Sequence, residues 1–205
     1  MKTRNLLLVF LVLILLKSCV IWSFYPLYTE KDLFENEILT GNWIDIEDSL
    51  KWDFAHPVSN NQNRPVTDNK SYILKFTDYD SIETEYNVHL IKLNGTYFLD
   101  FYLEEVNSDR KSNPEGNVTV WNMHLMPVHT FAKLTIDDNS LEINWFDGNW
   151  LSEQIEGKKI KIRHENNGEN LLLTAKTADL QKLVTKHAYN EAAFKDGLAV
   201  KLKKN

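Results

Sequence analysis

Asn94-Gly95 lies between two runs rich in apolar, β-branched and aromatic residues, one ending at Leu93 and one beginning at Thr96. A two-residue Asn-Gly loop favours a type I′ turn, so the dipeptide predicts a tight antiparallel hairpin. The turn also fixes register: Lys92 faces Tyr97, Ile91 faces Phe98, Leu90 faces Leu99, His89 faces Asp100 and Val88 faces Phe101. Tyr86, Val88, Leu90, Tyr97, Leu99, Phe101 and Leu103 then share one face, the natural core face. The other face carries Asn87, His89, Asp100 and Tyr102, but also Ile91 and Phe98, and is expected to be partly covered, with the N-terminal segment a candidate cover.

The same period-two reading extends through the chain. Gly41–Asp45 and Lys51–Phe54 read as paired strands, and Tyr72–Thr77 adds another. Thr119, Trp121, Met123 and Leu125 alternate with Asn122 and His124 up to Pro127, which ends a strand or forces a bulge. Phe131–Ile136 and Leu141–Phe146 flank a four-residue turn, Asp137–Ser140. Ile160 and Ile162 alternate with Lys159, Lys161 and Arg163, and Leu171–Thr174 and Leu198–Leu202 are shorter strand candidates. The polar runs Ser59–Pro65 and Ser108–Gly116 read as rim loops. Helical signal is confined to the last third. Asp147 is placed to cap a short helix through Trp150, Leu151 and Ile155, and Thr177 to cap a second, with Leu180, Leu183, Val184, His187 and Ala188 on one stripe.

About nine strands joined by hairpins, with one or two short C-terminal helices, predict a mainly β fold: an antiparallel barrel or strongly curved sheet, since closure removes exposed edges. Gly41-Asn42-Trp43 resembles the G-x-W element of lipocalin-like (calycin-like) barrels, and the resemblance implies that the tryptophan closes the barrel base and that the C-terminal helix lies on the barrel. The segments Phe24–Leu33, Gly41-x-Trp43, His124–Phe131 and Leu173-Thr174-Ala175-x-Thr177-x-x-Leu180-Gln181 also resemble a group of exported bacterial lipoproteins. That resemblance implies export and a single domain and carries no activity with it.

The N-terminus sets location. Lys2 and Arg4 precede an apolar run from Leu6 to Leu16, too short to span a bilayer and of the length read as a signal segment. Ser18-Cys19 resembles the end of a bacterial lipobox, although Lys17 is unusual there. The resemblance implies removal of residues 1–18 and acylation of Cys19, the lipid attachment site and the only cysteine in the chain. Residues 19–38 then read as a tether and lead-in, and residues 39–205 as one barrel-like domain. Ile21, Trp22, Phe24 and Tyr25 suit a membrane interface, or equally a plug for the barrel. No acidic cluster follows Cys19, so the expected location is the bacterial cell envelope, facing the periplasm.

Removing residues 1–18 takes away Lys2, Arg4 and Lys17, so 20 basic side chains face 29 acidic ones and the formal charge is −9. Such a surface repels nucleic acid and anionic headgroups, so membrane contact is expected through the lipid and nucleic acid is excluded as a partner. Catalytic patterns are absent: there is no G-x-S-x-G, no phosphate-binding G-x-x-x-x-G-K, no H-E-x-x-H and no G-x-G-x-x-G. No cofactor or metal site is expected. His124 and His129 are five apart, which in a regular strand puts them on opposite faces; His89 opposite Asp100 reads first as a cross-strand pair. The aromatic content is the remaining clue. Trp43, Leu90, Leu99, Phe101, Trp121 and Trp145 form a candidate ligand pocket, because large inward rings either fill a small barrel or line an apolar cavity. Three functions remain: an apolar or amphipathic small molecule held inside the barrel, an envelope protein partner docked on a filled barrel through an apolar patch such as Ile91 and Phe98, or an undetected enzyme or enzyme inhibitor.

Overall fold

The computed structural model describes residues 20–61, 64–107, 126–167 and 170–205. The expected signal segment 1–18, Cys19, the loop expected at Ser108–Gly116, and the strand expected at Thr119–Leu125 with Trp121 and His124 lie outside these residues.

The hairpin forms as the turn chemistry dictates. Asn94 and Gly95 take φ of 49° and 84°, the pair of left-handed conformations that a type I′ turn needs and that a residue without a Cβ adopts without strain. They join β7 (Glu83–Leu93) to β8 (Thr96–Asn107). All five expected pairs, from Lys92 with Tyr97 to Val88 with Phe101, are present. A bulge at Glu85/Tyr86 then shifts the register and brings Tyr86 opposite Leu103.

Six further strands complete a barrel around this hairpin. They are β2 (Gly41–Asp45), β3 (Lys51–Ala55), β6 (Tyr72–Thr77), β9 (His129–Asp137), β10 (Ser140–Trp145) and β13 (Ala199–Lys204). Each pairs antiparallel with the next, and β13 bonds to both β10 and β2, closing an eight-stranded barrel with no free edge. Alternation sends Trp43, Trp52, Phe54, Tyr72, Leu74, Val88, Leu90, Leu99, Phe101, Leu134, Ile143, Trp145 and Leu202 into one continuous interior cluster. Gly41 opens β2 at φ 124°, a conformation that L side chains rarely adopt, and Trp43 two residues on donates its indole N–H to the Leu39 carbonyl at 2.7 Å.

A second core lies outside the barrel wall. The short strand β1 (Trp22–Ser23) pairs antiparallel with β9 through Ser23 and His129, and parallel with β12 (Leu171–Leu173), which carries β11 (His164–Asn166) at the edge. Two helices, α1 (Gly148–Glu156) and α2 (Thr177–His187), pack over this extension. Ile91, Phe98 and Phe131 on the outer wall are buried with Ile21 and Leu27 of the lead-in, with Leu180 and Val184 of α2 and with Ala188 just after it. The two-sided apolar pattern of the β7–β8 hairpin thus has its cover, and Ile91 and Phe98 are not an exposed docking patch.

Several local expectations are corrected. Within the polar run expected as a loop, Ser59–Asn61 and Arg64–Pro65 belong instead to a small hairpin, β4 (Val58–Asn61) with β5 (Arg64–Thr67), pairing only with itself. The turn between β9 and β10 is two residues, because Ser140 pairs with Asp137. Ile160–Arg163 is not a strand: the N–H groups of Gly157, Lys158, Lys159 and Ile160 are taken by the carbonyls of Glu153, Gln154 and Ile155, which ties the segment to the end of α1. Asp147 caps α1 as expected, accepting from Asn149 N–H at 2.8 Å and Trp150 N–H at 3.2 Å. Lys176, not Thr177, is the cap residue of α2, since the Thr177 hydroxyl donates instead to the Pro26 carbonyl at 2.8 Å.

Candidate functional site

Of the residues expected to line a ligand pocket, Trp43, Leu90, Leu99, Phe101 and Trp145 point into the barrel and are 0 to 6 % exposed. Trp121 lies outside the described residues. Rings along the interior pair with one another. Phe101 stacks on Trp145 with centroids 5.2 Å apart, Trp52 meets Phe76 edge-on at 5.3 Å, and Tyr72 meets Phe54 edge-on at 6.4 Å. Pairs of this kind contribute about 0.5–1.5 kcal/mol beyond their buried area.

A polar cluster sits on the outer wall, where the lead-in crosses β8 and β9. The Asp100 side chain is 0 % exposed; its Oδ2 accepts the Leu27 N–H at 2.7 Å and its Oδ1 is 2.7 Å from Nδ1 of His129. A carboxylate can only accept, so His129 carries its proton on Nδ1. His89, the cross-strand neighbour of Asp100, does not take this bond; its ring stacks on Tyr28 at 4.0 Å. Burial holds His89 below its ordinary pKa against the opposing pull of Asp100, and burial, then Asp100 and Glu30, push the Tyr28 hydroxyl up to about 12. Beyond it the Gln181 amide donates to the Leu27 carbonyl and to Asp32, both at 2.9 Å. The chemistry of this group is clamping: it fixes Pro26–Asp32 to the barrel and to α2. Ser23, directly across the ladder from His129, gives its hydroxyl to the Tyr25 carbonyl at 2.7 Å, so it is not aimed at the imidazole as a nucleophile.

An open cleft of about 680 Å³ lies outside the barrel, between α2 and the segment that leaves α1. Its apolar floor comes from Ile155, Ile160, Ile162 and Leu183, so the alternation of Ile160 and Ile162 with Lys159, Lys161 and Arg163 is real but faces a helix rather than a sheet. The rim carries Lys158, Lys159, Lys161, Arg163, Lys182 and Lys186 against a single carboxylate, Asp179. Lys158 and Lys159 follow the carboxyl end of α1 and Lys186 lies in the last turn of α2, where helix dipoles favour cations. His187 also lines the cleft; its ring meets Trp150 edge-on at 5.1 Å, its Nε2 has no hydrogen-bond partner, and burial and then Lys186 hold its pKa low. This cleft is not among the sites expected from the sequence. Its signal there was the basic spacing of 158, 159, 161 and 163 with 182 and 186 one helical turn apart on α2.

Among the described residues no group of three His, Cys, Asp or Glu side chains is placed to hold a metal ion, and no helix is long and apolar enough to cross a membrane. Fold and cleft define a closed antiparallel β-barrel protein with a helical layer and an external basic cleft. Compared with family models, with curated proteins and with solved structures, the chain matches none.

Proposed function

We propose that this chain is a lipid-anchored binding protein of the bacterial cell envelope, a lipocalin-like barrel that serves as a packed scaffold and meets its ligand or partner on its outer surface. The observation that carries the reading is the ring packing inside the barrel: an interior whose aromatic side chains stack on one another offers an apolar molecule nothing it does not already have. Binding therefore falls to the exterior, and no catalytic role is assigned to the buried polar groups, which are taken up in holding the lead-in.

The anchor is supported by the basic start, the apolar run Leu6–Leu16 and Ser18-Cys19. Exposed aromatic rings close to Cys19 in the chain support it as well. Trp22, Phe24 and Tyr25 are 38, 51 and 40 % exposed, and such rings favour the headgroup region of a bilayer. The lead-in that carries them is clamped to the barrel by Asp100 and Gln181, so the domain is held close to the surface it is tethered to. With a formal charge of −9 after processing, the rest of the surface would drift from an anionic membrane without that tether. Mass spectrometry of the N-terminal peptide from the membrane fraction tests this. The expected species begins at Cys19 and carries acyl chains; a chain retaining residues 1–18, or one with a free Cys19 thiol, would refute it.

A further inference from the structure

We propose that the cleft between α2 and residues 158–164 binds a small amphiphilic anion, a phosphate or carboxylate head on an apolar body. This deepens the reading above and rests on it only in placing the ligand outside the barrel. The first observation is charge segregation. The chain has 23 basic and 29 acidic side chains and a formal charge of −6, yet six of the 23 surround this one cleft with Asp179 as the only acid. Among the described residues the cluster makes a single ion pair, Lys182 with Asp179 at 3.1 Å. Helix dipoles account for Lys158, Lys159 and Lys186. They do not account for Lys161, Arg163 or Lys182, which complete the rim.

The floor defines the rest of the ligand. Ile155, Ile160, Ile162 and Leu183 present apolar surface beneath the cations, which a bare inorganic anion would leave wet and an apolar body would cover. The volume of about 680 Å³ is in the range of small-molecule sites, roughly 300–1,000 Å³. A long polyanion would extend beyond these six cations along a chain of net charge −6, so the ligand is small. The cleft also holds like charges together against their mutual repulsion, so removing Lys161, which no helix end favours, should stabilise the protein while weakening binding.

Isothermal titration calorimetry on full-length protein in nanodiscs of uncharged lipid tests the proposal, with 1-naphthyl phosphate as probe and inorganic phosphate and 1-naphthol as its two halves. Naphthyl phosphate is expected to bind once per chain and more tightly than either half. Lys161→Glu and Lys186→Glu should each weaken it by about tenfold, and raised salt should weaken it further. Lys161→Glu should retain the thermal stability of the parent or exceed it, and Lys186→Glu, which puts an acid in the last turn of α2, should fall only slightly below it. No binding of naphthyl phosphate, equal binding of inorganic phosphate, or indifference to both reversals would overturn the proposal and leave the anchored scaffold standing. Tight binding of 1-naphthol that ignores both reversals would instead point inside the barrel, and would overturn the scaffold reading as well.

Discussion

Replacing Asp100 by alanine should loosen the lead-in before it unfolds the barrel. The carboxylate is fully buried and satisfies two donors, the Leu27 N–H and the His129 Nδ1–H, each at 2.7 Å. Deleting it strands both donors, and a buried donor without a partner costs about 1–3 kcal/mol. The expected loss for Asp100→Ala is therefore about 2–6 kcal/mol, which spans the range seen when one partner of a buried pair is removed. Asp100→Asn is the informative companion. Its amide oxygen still accepts from Leu27, and its NH₂ can donate to Nδ1 once His129 moves its proton to Nε2, so the loss should be about 1–2 kcal/mol. Urea denaturation gives the global figures, and hydrogen exchange at the Leu27 amide gives the local one. That amide should become the fastest-exchanging position of the lead-in in Asp100→Ala and stay protected in Asp100→Asn. A loss below about 1 kcal/mol with Leu27 still protected would refute the clamp.

Phe101→Ala removes one ring of the stacked Phe101–Trp145 pair from a packed interior and should cost about 3–5 kcal/mol by chemical denaturation; a cost under about 1 kcal/mol would mean the ring borders empty space. Acid should destabilise the protein through His89. Its folded pKa lies below the ordinary 6.5, so between the two values the unfolded chain binds the extra proton, and stability is lost as pH falls below about 6.5. His89→Phe should flatten that part of the stability curve, and an unchanged slope would remove His89 as its source.

The β7–β8 hairpin was legible because everything that determines it is local. Asn94-Gly95 sets the turn, and a period of two sets the faces, so even the double-sided burial of Ile91 and Phe98 announced itself as apolar residues on the wrong face. The Asp100–His129 bond was not legible. In the ladder Asp100 faces Phe131, and His129, which faces Tyr102, is its diagonal neighbour. That register follows more than twenty intervening residues, and no two-residue turn signal like Asn94-Gly95 in the sequence counts it out. The cleft was half legible: the cations and the alternation with isoleucine were visible. Their convergence depends on how α1 ends and where α2 packs, and Ile160–Arg163 looked like a strand because a helix-capping strip and an edge strand can share one alternation. Ser59–Asn61 and Arg64–Pro65 misled in the opposite direction, since a polar run with Pro65 shows no apolar alternation to mark a strand.

The packed barrel is the claim on which the rest depends, and titration of the full-length protein in uncharged nanodiscs with N-phenyl-1-naphthylamine, an apolar fluorophore without the anionic head that the external cleft selects, tests it directly. Wild-type protein should show no saturable energy transfer from its tryptophans beyond that of empty nanodiscs. Saturable transfer in the wild type, with quenching that Trp145→Phe removes, would contradict the account and return the ligand to the interior.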